Sequence, residues 1–305
     1  MTTMNNNPPM KTDYVIGADI GGSHITAGLV NIAARTMEHG SVVRRTVDPH
    51  APANDIMAAW SETIQEAARF FDGASYRVGI AMPGPFDYAN GISLIRGFNK
   101  YESLYELNVK EMFAQQLGIP GADIRLKNDA AAFLQGEVFC GAAMDYGKAV
   151  GITLGTGLGS ARTINGDTEE GAVNVSPLHD SIAEDYISTR WFLKRYTELT
   201  GNKPKDVRSL AEKLGQDADA GRVFREFTAN LAIVLQQFIT EEQPEVVVLG
   251  GGIANAFDIF YPQLRELLAG KINNTVIKRS SLGESAAMIG AASIFGKKPV
   301  SSAVK

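Results

Sequence analysis

Two stretches of this 305-residue chain carry the same pattern, and that duplication limits the fold more than any other feature. Tyr14-Val15-Ile16-Gly17-Ala18-Asp19 reads as a buried strand, Ile20-Gly21-Gly22-Ser23 as a turn, and His24 to Val30 as a returning strand. Two β runs around a glycine pair make a hairpin. The pattern recurs as Ala149 to Leu154, the turn Gly155-Thr156-Gly157-Leu158-Gly159, and Ser160 to Ile164. Behind the first hairpin the spacing predicts a strand over Ser41 to Val47 and a helix capped by Asn54 or Asp55. In that helix Ile56, Ala59, Trp60, Thr63, Ile64, Ala67 and Phe71 form a core stripe. Next come a strand over Arg77 to Met82 closed by Pro83-Gly84-Pro85, a helix ending at Gly118, a short strand Ile124 to Leu126 and a helix from Ala130. Behind the second hairpin lie a helical region with Val223, Phe227, Leu231, Val234, Leu235 and Phe238 on one face, and a strand Glu245 to Leu249 ended by Gly250-Gly251-Gly252. A small-residue helix around Ala286 to Ala292 closes the chain. One plan used twice, with strands and helices alternating, is an α/β protein of two related lobes with a cleft between them, a common place for ligands.

Composition narrows the function. Lys and Arg number 29 against 34 Asp and Glu, so the net charge is -5 and no basic field draws nucleic acid or an anionic membrane. Cys140 is the one cysteine, which excludes an internal disulfide and a cysteine-built zinc site and fits a reducing cytoplasm. The polar start, Met1 to Met10, lacks the layout of a signal peptide, and no run approaches 18 apolar residues. Neither a P-loop, nor a dinucleotide fingerprint after a strand, nor a G-x-S-x-G elbow occurs, and the four histidines show no paired metal spacing.

Glycine is the excess, at 31 residues. A glycine turn leaves backbone N–H groups bare and lets a ligand come close. Singly, such a turn is a hairpin and nothing more; two in equivalent places of two lobes can hold one polyphosphate. Asp19, at the mouth of the first, suits a Mg²⁺ bound through water. Asn128-Asp129 stands at a strand-to-helix junction, where either residue serves as a helix cap. Read functionally, Asp129 is a general base, kept ionised by the helix N-terminus. Gly250-Gly251-Gly252 is a tight turn or a place of close approach to a ring or ribose.

Together, Asp19-Ile20-Gly21-Gly22-Ser23, Asn128-Asp129-Ala130-Ala131-Ala132, Gly155 to Gly159 and Leu249-Gly250-Gly251-Gly252 resemble the ROK family (repressor, open reading frame, kinase). Its enzymes are bacterial sugar kinases on the actin-like ATPase (ribonuclease H-like) fold, and the motifs appear here in the family's order from Tyr14 nearly to the C-terminus. The resemblance implies ATP and Mg²⁺ as cofactors. It assigns Asp19, Gly21, Gly22 and Ser23 to the first phosphate motif, Gly155, Thr156 and Gly157 to the second, and Gly250, Gly251 and Gly252 to the adenosine side. Asp129 becomes the catalytic base, and Asn128, Pro83, Gly84, Asn99 and Glu184 become sugar contacts. It also implies a homodimer, and a division into a tail (1–13), a smaller lobe (14–126, joined by 286–296) and a larger lobe (127–285).

The departures are specific. The family's Gly-Glu-x-Gly-His before Pro-Leu lines up with Gly171 to Leu178, which puts Ala172 and Val175 where a sugar-binding glutamate and histidine belong. The zinc-binding cysteine cluster is missing, with His179-Asp180-Ser181 in a shortened stretch, so no zinc site is expected; Glu184-Asp185-Tyr186 then recovers the register. The expected activity is phosphorylation of a hexose-type sugar at its 6-hydroxyl by ATP, with Asp129 taking the proton. The rivals are a sugar sensor of the same fold without turnover, a kinase of an amino or N-acetyl sugar, and a sugar-responsive repressor. The last needs a DNA-binding module before the first phosphate motif, where only a short polar tail stands.

Overall fold

A computed structural model describes residues 13–71, 75–272 and 274–296. The expected tail, 1–13, lies outside these except for Asp13, whose carbonyl accepts a hydrogen bond from Ile32. The chain divides into two compact units, residues 1–140 with 287–305, and 141–286.

The first unit begins with strands β1 (Tyr14–Ile20), β2 (His24–Asn31), β3 (Thr36–Met37) and β4 (Val43–Thr46), followed by helix α1 (Ala53–Ala68). Then come β5 (Val78–Met82), the short ribbon β6 (Phe86–Asp87) and β7 (Ile92–Ser93), α2 (Val109–Leu117), β8 (Ile124–Asn128) and α3 (Asp129–Cys140). Its main sheet runs β3-β2-β1-β5-β8, with β4 also paired to β2. The glycine hairpin β1–β2 is antiparallel, whereas β5 joins β1, and β8 joins β5, in parallel. The stripe of α1 is core as expected: Ile56, Trp60, Ile64 and Ala67 are fully buried, among Ile16, Ile20, Ile25 and Phe113.

Two local expectations shift. Ser41 lies in a short 3-10 turn rather than in β4, because its hydroxyl donates to Glu38 O and accepts from Leu29 N. α1 starts at Ala53 with no side-chain cap, and the Pro52 carbonyl accepts from Asp55 N and Ile56 N.

The second unit repeats the plan. It contains β9 (Ala149–Leu154), β10 (Leu158–Ile164), β11 (Asp167–Glu170), the ribbon β12 (Pro177–Leu178) and β13 (Ser181–Ile182), and helices α4 (Thr189–Thr200), α5 (Val207–Ala211) and α6 (Ala218–Glu242). It ends with β14 (Val246–Gly250), α7 (Phe257–Leu268) and β15 (Val276–Arg279). The sheet order β11-β10-β9-β14-β15 matches the first strand for strand: an antiparallel glycine hairpin, then two parallel neighbours. The expected stripe of α6 is buried throughout, and Phe227 packs against Phe192 and Phe260.

Helix α8 (Ala286–Ser293) returns the chain to the first unit. A Cβ on Gly290 would sit 1.8 Å from the Ala132 carbonyl oxygen, so α8 and α3 touch backbone to backbone. Ala81, Ala132 and Ala291 complete this small-residue contact. The division expected from the sequence puts residues 127–140 with the second lobe, whereas α3 packs within the first unit, on β5 and α8.

Candidate functional site

In the first unit the chemistry gathers at the C-terminal ends of β1, β5 and β8. Asn128 closes β8 and is buried, and its Oδ1 accepts from Ala131 N at 3.0 Å, which makes it the N-cap of α3. Its remaining Nδ2 donates to Tyr88 Oη at 3.3 Å, and Tyr88 donates to Met82 O at 3.0 Å. A Cβ on Gly84 would lie 3.2 Å from that hydroxyl, so the Pro83-Gly84 bend, Tyr88 and Asn128 form one wall. Tyr88 is a member that sequence reasoning missed; its one signal is an aromatic residue just after the Pro-Gly-Pro turn.

Asp129 follows as the first residue of α3, its Oδ1 accepting from Ala130 N at 2.8 Å. Burial pushes its carboxyl above the ordinary aspartate range, against the pull of the Ala130 N–H and the Lys100 charge. The helix N-terminus acts in the opposite sense and favours the ionised form. Loss of water is the larger influence, and it moves the pKa upward. Lys100 is a second member without a motif to announce it.

Asn99 stands exposed one residue before Lys100, in a left-handed conformation (φ 54°), its N–H donating to Glu102 Oε1 at 3.1 Å. Asp19, near the end of β1, pairs in register with Thr26 and Ala81 and is partly buried. Gly21, Gly22 and Ser23 form the turn that follows it, with Gly22 and Ser23 exposed.

In the second unit, Gly155, Thr156 and Gly157 form the turn between β9 and β10. The first N–H of α4, on Thr189, donates to Gly155 O at 2.9 Å. Glu184 Oε2 accepts from Leu158 N at 3.0 Å, and its Oε1 accepts from Arg190. The carboxylate expected beside the sugar thus also anchors the second glycine turn. Gly251 has φ 85°, and a Cβ there would sit 2.4 Å from Leu154 O; only glycine fits. That contact sets Gly250 to Gly252 beside the Gly155 turn, with Gly251 and Gly252 exposed.

Ala172 and Val175 line a cavity of about 560 Å³ with Glu170, Asn174, Phe238 and Glu241. His179-Asp180-Ser181 borders another, of about 740 Å³, with Tyr186, Arg190 and Lys194. Where the family pattern has cysteines, side-chain bonds join the pieces. His179 Nε2 meets Asn230 Oδ1 at 2.9 Å, Tyr186 donates to Asp180, and Ser181 donates to Asp185. Among the described residues no group of three or more His, Cys, Asp or Glu could hold a metal, and no helix is long and apolar enough to cross a membrane.

The ROK family model matches residues 15–177 and 180–298, and its break falls at Leu178-His179, where the cysteine cluster is missing. The chain is 28% identical to a glucokinase of Thermotoga maritima, over 93% of this chain and 98% of that protein. It is 25% identical to an N-acetyl-D-glucosamine kinase of Mannheimia succiniciproducens, over 92% and 98%. A ROK family glucokinase from Streptomyces griseus, solved with glucose and AMPPNP, superposes with a TM-score of 0.75 at 23% identity, covering 92% of this chain and 98% of that one. The chain belongs to the ROK family and has its two-lobe actin-like ATPase fold.

Proposed function

We propose that the protein is an ATP-dependent sugar kinase that phosphorylates a hexose-type sugar at its 6-hydroxyl. The observation that carries the reading is Asp129: a carboxylate at the first turn of a helix, beside a buried asparagine, with its pKa raised toward the range of a working base. Asp129 takes the hydroxyl proton as that oxygen bonds to the γ-phosphorus, the bond from γ-phosphorus to the bridging oxygen breaks, and ADP leaves. Asn128, Asn99, Glu184 and the Pro83-Gly84 bend hold the sugar, while Lys100 offsets the charge on Asp129.

The glycine turns Gly21 to Ser23 and Gly155 to Gly157 offer backbone N–H groups to the phosphates, and Gly250 to Gly252 leave room for adenosine. Mg²⁺ bound with ATP neutralises phosphate charge, and it asks the protein for one or two carboxylates at most, which Asp19 fits. With ATP as donor the enzyme works in the cytoplasm, and the family resemblance adds a homodimer, which sedimentation would check. The relatives include kinases of glucose and of N-acetylglucosamine. Ala172 and Val175 replace charged sugar contacts with small and apolar ones, and apolar walls discriminate weakly between substrates. An ADP-release assay across hexoses, hexosamines and N-acetylhexosamines tests the reading. Turnover spread over several sugars is expected; absence of sugar-dependent ADP release across the panel would leave the non-catalytic sensor.

A further inference from the structure

Residues 97–102 reach three parts of the first unit's site at once. Glu102 Oε1 accepts from Gly97 N and Asn99 N at 3.0 and 3.1 Å and so shapes the loop that offers Asn99. Lys100 sets its charge against Asp129. Tyr101 turns inward: it is fully buried, and its hydroxyl donates to Gly21 O at 2.6 Å, across 80 residues of sequence. Gly21 opens the first glycine turn, whose backbone is otherwise held by Gly21 N to His24 O and Val47 N to Ser23 O, both 2.9 Å.

Tyr101 is fixed as firmly as the turn it holds. Its N–H donates to Pro49 O at 2.7 Å, and its ring meets Trp60 edge-on at 5.1 Å. Its φ of 55° is a left-handed conformation that a bulky side chain seldom takes without a packing reason. Asn99 has nearly the same φ, 54°. The two reversals let neighbouring side chains serve different partners. Burial pushes the phenol's pKa far up, so the hydroxyl remains a donor over any working pH.

We propose that Tyr101 is a positioning residue for the first phosphate turn, tying it to the Asn99 loop so that sugar and nucleotide strengthen each other's binding. The proposal rests on the kinase reading. Coupling of this kind is reciprocal, so the sugar should tighten nucleotide binding by the same factor as nucleotide tightens the sugar.

Tyr101→Phe keeps the ring, the burial and the edge-on ring contact with Trp60, and removes the hydroxyl with its bond to Gly21. Nucleotide affinity should fall about fivefold, the worth of one neutral hydrogen bond. The ratio of nucleotide affinities with and without sugar should move toward one. Hydrogen exchange at Gly22 and Ser23 should quicken in the unliganded protein. Glu102→Ala loosens the loop without touching the phenol, so it should raise the sugar KM and leave nucleotide affinity in the absence of sugar unchanged. Wild-type values for Tyr101→Phe in both affinity and exchange overturn the proposal. So does a variant that melts earlier yet keeps the sugar-linked ratio. If the wild type turns over no sugar at all, the kinase reading fails instead, and exchange at Gly22 and Ser23 still decides whether Tyr101 holds the turn.

Discussion

Glu184 is where the family resemblance and the geometry make different demands, and one substitution separates them. The resemblance assigns its carboxylate to the sugar. The structure gives Oε2 the N–H of Leu158, a residue 4% exposed, and gives Oε1 the guanidinium of Arg190. An ionised carboxylate accepts about four hydrogen bonds, so a sugar hydroxyl can still be served. The Arg190 side chain is 64% exposed, and such a pair is worth about 0–1 kcal/mol. The bond to Leu158 N weighs more. Removing its acceptor strands a buried donor, which costs about 1–3 kcal/mol, equivalent to about 5- to 150-fold in binding if the turn must re-form around nucleotide. Glu184→Gln keeps an acceptor but loses the charge, and should fall at or below the bottom of that range.

The assay is calorimetric titration of a non-hydrolysable ATP analogue into wild type, Glu184→Gln and Glu184→Ala, followed by KM for both substrates. Nucleotide binding should weaken in the order wild type, Gln, Ala, and the sugar KM should rise as well. If Glu184→Ala binds nucleotide as wild type does, the bond to Leu158 is incidental and Glu184 serves the sugar alone. If the sugar KM stays put while nucleotide binding falls, the sugar assignment goes.

Asp129→Asn should lower sugar-dependent turnover by about 10²–10⁴ while sparing nucleotide binding. Because burial raises this carboxyl's pKa, the fold favours its neutral form, a contribution present at acid pH and lost as pH rises through the raised pKa. The asparagine variant should therefore melt at or above wild type at pH 7, with the gap closing in acid; a lower melting point at pH 7 contradicts the burial argument. The wild-type acid limb of kcat/KM should lie above the ordinary aspartate range, and Lys100→Met should move it to higher pH, since the charge it removes favours the ionised base. Gly290→Ala would drive a methyl into the Ala132 carbonyl and should destabilise by about 1–3 kcal/mol or more, read by denaturant melts. Chelators should leave the melting temperature unchanged, because His179-Asn230, Tyr186-Asp180 and Ser181-Asp185 hold the shortened segment; stoichiometric zinc that survives dialysis would contradict this.

What the sequence revealed and what it hid follow from the range of the interactions involved. The hairpins β1–β2 and β9–β10 were legible because alternation, a glycine turn and a returning run are neighbours along the chain. The buried faces of α1 and α6 were legible for the same reason. Asn128 was legible as a residue of interest but not in its division of labour, with one amide atom capping α3 and the other facing Tyr88. The upward pull on the Asp129 pKa was not legible, since the helix end is a local fact and desolvation is a property of everything packed around it. The place of residues 127–140 depended on Gly290 meeting Ala132, a contact between segments far apart in sequence.

A set of weak motifs can specify a site because distant residues hold each motif in shape. A glycine turn has no side chains to fix it, so its shape must come from outside. Here each turn takes one such bond from a segment expected to touch sugar: Gly21 O from Tyr101, and Leu158 N to Glu184. In both units the supporting residue is distant in sequence and uses a backbone atom of the turn, and in the second a Cβ on Gly157 would lie 2.5 Å from Glu184 Oε2, so that glycine makes room for its own support. The glycines thus serve the packing of the turn as well as ligand approach. The motif therefore records what ligand and packing both need, while the residues that give it rigidity follow no motif and become visible only in the folded chain.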